Sequence, residues 1–124
     1  MTHHIADRVQ FVFDASDEEL VTKFRASDAL MFLSSLEGFG MVNIEAMAYG
    51  LPVIASDIAA HRELFAEGRG GCLVPLDDAP MVADTVTSLF DDPALYRRIS
   101  EQAMKASADY EWDVDQVTNL LHGA

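Results

Sequence analysis

Two glutamates eight residues apart, Glu37 and Glu45, bracket the run Gly38-Phe39-Gly40-Met41. Gly38 and Gly40 let the backbone approach a ligand closely and turn sharply into a following helix. A helix beginning at Met41 opens with free N–H groups and the positive end of its dipole, a natural seat for phosphate. Carboxylates flanking that seat would repel phosphate directly, so their chemistry is to accept hydrogen bonds from hydroxyls. Ribose and sugar hydroxyls are the obvious donors, and the combination points to a nucleotide-sugar. Read without a ligand, the same pair is a dipole partner at a helix start and a solvated helix face. Spacing alone does not choose between the two.

Other residue groups carry less. His61 near Ser56 and Asp57 has the residue types of a hydrolytic triad, but no Gly-x-Ser-x-Gly elbow presents a serine nucleophile. His3-His4 has no further ligands around it, so no metal site is expected. Among the eight Lys and Arg residues, Arg62 alone falls where a strand end would meet a ligand, and it is a candidate phosphate contact. Cys72 lies in a strand-like run and reads as an inert core residue. The methionines at 31, 47, 81 and 104 read as packing, and Trp112 as the anchor of a C-terminal tail.

The elements that would position these groups alternate between two periods. Val9-Gln10-Phe11-Val12-Phe13 is apolar, β-branched and aromatic, and predicts a strand. Ser16 with Glu19 three places on forms a capping box for a helix carrying Leu20, Val21 and Phe24 and ending near Ala26. Ala29-Leu30-Met31-Phe32-Leu33 predicts a second strand, residues 34–40 a loop, and residues 41–49 a helix stopped by Gly50 and Pro52. Residues 52–55 predict a third strand, 61–67 a short helix, and 72–75 a fourth strand. Asp78 with Pro80, and then Asp92-Pro93, open two further helices, followed by the tail over residues 110–121. Short buried strands alternating with helices predict an α/β fold, a parallel sheet with helices on both faces. In such sheets ligands bind beyond the carboxyl ends of the strands, where the Glu37 loop stands.

Composition bounds the function. The chain has 124 residues, half of them hydrophobic, which fits one globular domain with a real core. Eight basic against 21 acidic residues give a net charge of −13, so nucleic acid and anionic lipid are poor partners. No apolar run approaches the roughly 18 residues of a membrane span, and the N-terminus does not read as a signal peptide. One cysteine excludes an internal disulfide framework and fits a cytoplasmic setting.

Glu37-Gly38-Phe39-Gly40 followed by Glu45-Ala46-Met47-Ala48-Tyr49-Gly50-Leu51-Pro52-Val53-Ile54-Ala55-Ser56-Asp57 closely resembles the hallmark segment of GT-B-type retaining glycosyltransferases, the group called glycosyltransferase family 4 or group 1. The resemblance runs over residues 8–121: a strand, capped helix and strand before the Glu37 loop, Glu63 after the third strand, and Gly71 to Pro75 with the later helices and Trp112. It implies that Glu37 binds hydroxyls of the donor sugar, that the backbone of Gly38, Phe39, Gly40 and Met41 meets the diphosphate or sugar, and that Glu45 holds the ribose. Glu63 would support the donor site. The family transfers a sugar from a nucleotide-diphosphate donor, UDP- or GDP-linked, with retention and generally without metal or other cofactor.

The same resemblance implies what these 124 residues lack. Residues 1–124 would be a single, incomplete Rossmann-like C-terminal donor domain, without the N-terminal acceptor domain and without the domain's first two strand–helix units. Those units carry the Arg and Lys that clamp the diphosphate in the family. Transfer would then need the missing parts; the alternative is a non-catalytic remnant acting as an acidic interaction module. Phe13 stands where the family commonly has a glycine near the base, and Leu33 where proline is usual. Without the central strands the run at residues 9–13 has no neighbour, and unpaired backbone groups cost stability when buried. A sheet rearranged to pair residues 9–13 beside residues 29–33, or completed by self-association or a partner chain, is therefore expected.

Overall fold

The structure, a computed structural model, describes residues 5–35, 41–66 and 68–109. Helix starts follow the local chemistry closely. Ser16 Oγ accepts the Glu19 N–H at 3.2 Å and opens α1, Asp17–Ala26, with three acidic residues in its first turn and Lys23 and Arg25 in its last. Strand β1, Leu30–Phe32, precedes helix α2, Met41–Ala48. Gly50, at φ +76°, turns the chain into strand β2, Val53–Ser56. Helix α3 spans Ala59–Leu64, earlier and shorter than the helix expected over residues 61–67, and strand β3 spans Gly71–Val74. Asp78 accepts the Met81 N–H at 3.1 Å to cap α4, Ala79–Asp91. Asp92 accepts from Leu95 at 3.1 Å ahead of α5, Pro93–Asp109. The tail over residues 110–121, Trp112 and the His3-His4 pair lie outside the described residues.

The strands form one parallel sheet in the order β1-β2-β3, with Leu30 opposite Val53 and Ile54 opposite Cys72. Helices cover both faces. On one, Leu30, Val53 and Ala55 pack with Ile44 and Met47 of α2, Leu64 of α3, and Ala103 and Ala106 of α5. Phe24 and Leu20 bring α1 onto Ala46, Leu51 and Leu30 of the same layer. On the other, Ile54 and Val74 meet Val82, Val86 and Leu89 of α4 and Ile99 of α5. Helix α5 crosses the amino ends of the strands. There the Tyr96 hydroxyl donates to the Asp28 carbonyl at 2.6 Å, and the Ser100 hydroxyl to the Gly50 carbonyl at 2.6 Å. Among the described residues no helix is long and apolar enough to cross a membrane.

One expected strand is not there. Residues 9–13 belong to no strand, pair with nothing in the sheet, and leave Phe11 79% and Phe13 81% exposed. Among the described residues the sheet has three strands rather than four. The pairing of residues 9–13 beside β1 within one chain is thus corrected. The physical reason is that strand propensity is realised only against a neighbouring ladder, and the backbone here is exposed to water instead.

Candidate functional site

The carboxyl ends of β1 and β2 are joined by one side chain. Ser56, the last residue of β2 and fully buried, donates its hydroxyl proton to the Ser34 carbonyl at 2.5 Å. This fixes the start of the loop that leads to Glu37 relative to the sheet. His61, one turn into α3, places Nδ1 2.8 Å from the Ser56 carbonyl and 3.3 Å from the Ser56 hydroxyl. A carbonyl oxygen can only accept, so Nδ1 carries a proton and donates it to the Ser56 carbonyl. The ring is held between Phe32 of β1 and Phe65, with centroids 5.7 and 6.3 Å away.

These contacts dispose of the triad reading. The Ser56 proton is spent on the Ser34 carbonyl, and the His61 Nδ1 lies nearer the Ser56 carbonyl than its hydroxyl. Asp57 is engaged by Arg62, whose Nε lies 2.6 Å from the carboxylate and whose Nη2 donates to the Asp57 carbonyl at 3.3 Å. The pair is solvent-exposed, worth at most about 1 kcal/mol. Its consequence is chemical: the candidate phosphate contact Arg62 has its guanidinium turned onto Asp57.

Helix α2 follows the loop and carries the second glutamate. Met41 is its first residue and is half-buried, as is Glu45 one turn further in. Burial, and behind it the Asp17 carboxylate, raises the Glu45 carboxyl above its ordinary range. A half-buried carboxylate without a cation partner is costly when charged, and hydroxyl donors would relieve that cost. Glu63 is exposed on α3, on the side of the helix away from buried His61 and Leu64. Glu37, Gly38, Phe39 and Gly40 lie outside the described residues.

Two buried residues carry polar atoms without a partner among the described residues, and the sequence reading passed over one of them, Asn43. Asn43 is fully buried in the first turn of α2, and among the described residues neither its Nδ2 nor its Oδ1, nor Nε2 of His61, has a hydrogen-bond partner. Each buried orphan costs about 1–3 kcal/mol. The signal for Asn43 was present: a lone amide inside the apolar helical run Met41-Val42-Asn43-Ile44.

Comparison with known proteins places this geometry. The family described as "Glycosyl transferases group 1" matches residues 2–106. The D-inositol 3-phosphate glycosyltransferase of Corynebacterium efficiens is 35% identical over 105 residues, which are 85% of this chain and 25% of that protein. The structure of Anabaena HepE in complex with UDP and glucose superposes with a TM-score of 0.78 at 25% identity, covering 97% of this chain and 33% of that one. The C-terminal domain of a group 1 glycosyl transferase (LpcC) from Francisella tularensis gives a TM-score of 0.71 at 29% identity, over 81% of this chain and 51% of that domain. The chain spans about a quarter of the length of the curated relatives it matches.

Proposed function

The chain belongs to the group 1 glycosyl transferases, and from that premise we propose that it is a partial donor domain that binds a nucleotide-diphosphate sugar for transfer with retention. The observation that carries the reading is that Glu37 and Glu45 bracket the run Gly38-Phe39-Gly40-Met41 in the sequence, and that Met41 and Glu45 lie in the first turns of α2, the helix that follows β1. Glu37 accepts from sugar hydroxyls, and Gly38, Phe39, Gly40 and Met41 offer backbone to the diphosphate. Glu45, which has no cation partner among the described residues, accepts from the ribose, and Glu63 supports the donor site from α3. A relative bound to UDP and glucose supports this ligand class.

In this reading catalysis consists chiefly of stabilising the departing diphosphate with fixed donors, a task suited to the α2 N-terminus. The only cation at the described strand ends, Arg62, is held by Asp57. Transfer therefore needs cations and an acceptor site from polypeptide outside these 124 residues, and that polypeptide or a second copy would also complete the sheet. The single cysteine is consistent with work in a reducing cytoplasm. The engagement of Arg62 also favours a second reading, a non-catalytic acidic interaction module.

Calorimetric titration of the chain with UDP, GDP, UDP-glucose and GDP-mannose separates the two. Binding of a diphosphate or its sugar that is lost in Glu45→Ala supports the donor-domain reading. Silence from all four ligands at millimolar concentration leaves the interaction module.

A further inference from the structure

Helix α1 lies against α2 along one stripe of each. Phe24, near the end of α1, stacks on Tyr49 just past the end of α2, with ring centroids 5.7 Å apart. Leu20, one turn earlier, packs on the cluster of Phe24, Ala46 and Leu51, to which Val42 also docks. One further turn back on the α1 stripe stands Asp17, and the α2 stripe of Val42, Ala46 and Tyr49 carries Glu45. The packing of the two helices thus brings these carboxylates together. Their charges feel each other: behind burial, Asp17 is the group that raises the Glu45 carboxyl.

Of the three acids in the first turn of α1, Asp17 alone has this position. Glu19 is engaged by the Ser16 hydroxyl at 3.3 Å, and Glu18 falls off the stripe of Leu20 and Phe24. The Asp17 side chain is exposed and has no hydrogen-bonding or cation partner among the described residues.

The inference rests on the donor-domain reading, in which Glu45 takes the ribose hydroxyls. A base is joined to its ribose by one bond, so a carboxylate beside Glu45 is placed to meet the base. An ionised carboxylate only accepts, through two oxygens side by side. Guanine presents two adjacent donors on its pairing edge, the ring N1–H and the 2-amino group. Uracil offers one N3–H between two carbonyls that repel a carboxylate. Adenine and cytosine each set a ring acceptor next to their amine. We propose that Asp17 selects the base of the donor by accepting from N1–H and the 2-amino group of guanine, so that the sugar arrives linked to GDP. One guanosine brings donors to both Asp17 and Glu45 and offsets the repulsion between them.

Calorimetric titration of the chain with GDP, UDP and IDP, which is GDP without the 2-amino group, tests this. The wild type is expected to bind GDP about 10- to 100-fold more tightly than UDP, the discrimination of one bidentate contact, with IDP between them. Asp17→Asn puts an amide donor against the donors of guanine, so it abolishes the preference and leaves UDP binding as it was. Glu18→Gln removes an equal charge from the same turn and keeps the preference. A wild type that binds UDP as tightly as GDP, an Asp17→Asn chain that still prefers GDP, or an equal loss in Glu18→Gln overturns the assignment and leaves the donor-domain reading standing. Silence from all three nucleotides at millimolar concentration removes that reading, and the role of Asp17 falls with it. Should Asp17→Asn fail to fold by circular dichroism, the wild-type ratio of GDP to IDP affinity decides: tighter GDP supports the contact, and equal affinities refute it.

Discussion

Ser56 gives its hydroxyl proton to the Ser34 carbonyl and its own carbonyl to the His61 Nδ1–H, so one residue at the end of β2 ties β1 to α3. The loop carrying Glu37 leaves from this knot, and α3 returns to it. Positions in the site that are far apart in sequence are thus set by a single buried hydroxyl and the carbonyl beside it.

Replacing Ser56 by Ala leaves the Ser34 carbonyl without this donor and costs about 1–2 kcal/mol. A drop in melting temperature of roughly 4–12 °C is expected for a domain of this size. Differential scanning calorimetry measures it, and an unchanged melting temperature would mean the bond contributes nothing to the fold.

Asn43 is a fully buried amide with no partner for either of its polar atoms among the described residues. Asn43→Leu, which keeps the branched four-heavy-atom side-chain shape without its polar atoms and is better suited to a helix, is expected to stabilise the chain by about 1 kcal/mol. Urea unfolding with an unchanged slope is the measurement. Destabilisation by a similar amount would show that the amide is satisfied in solution by water.

The raised Glu45 carboxyl has a definite sign in stability. Between the ordinary carboxylate range and its higher folded value, the folded state binds more protons than the unfolded one, so stability falls as pH rises through that window. Glu45→Gln removes this slope and makes the chain more stable than wild type above the window. For nucleotide-sugar binding the sign reverses: hydroxyl donors need the carboxylate, so affinity weakens as pH falls through the same window. Melting temperature and calorimetric affinity, each followed against pH, check the two slopes separately.

Gly70 sits at φ +89°, where an added Cβ would lie 2.5 Å from the Ala103 backbone of α5. Gly70→Ala combines backbone strain with a clash against a helix and is expected to cost about 2 kcal/mol or more. Gly68, also at positive φ but facing only the Gln102 side chain at 3.6 Å, gives a milder loss for the same change. Equal melting temperatures for the two variants would contradict the close packing of α5 on the turn before β3.

Much of this was local and therefore written in the chain. Ser16, Asp78 and Asp92 cap their helices through contacts three residues away. The apolar runs at residues 30–32, 53–56 and 71–74 became strands, because each finds its neighbour through a helix crossover of ordinary length. The spacing of Glu37 and Glu45 around a glycine turn, and with it the family, was likewise legible from residues alone.

What only the tertiary structure decided depends on partners distant in sequence. Residues 9–13 have the composition of a strand and are none, since a strand exists only when another edge supplies its ladder. The candidate phosphate contact Arg62 turns its guanidinium onto Asp57, and Ser56, for which the sequence offered no nucleophile elbow, gives its proton to the Ser34 carbonyl. Composition records which groups a chain owns. Which of them are already spent on one another is settled by distances of 3 Å or less that no spacing along the sequence encodes.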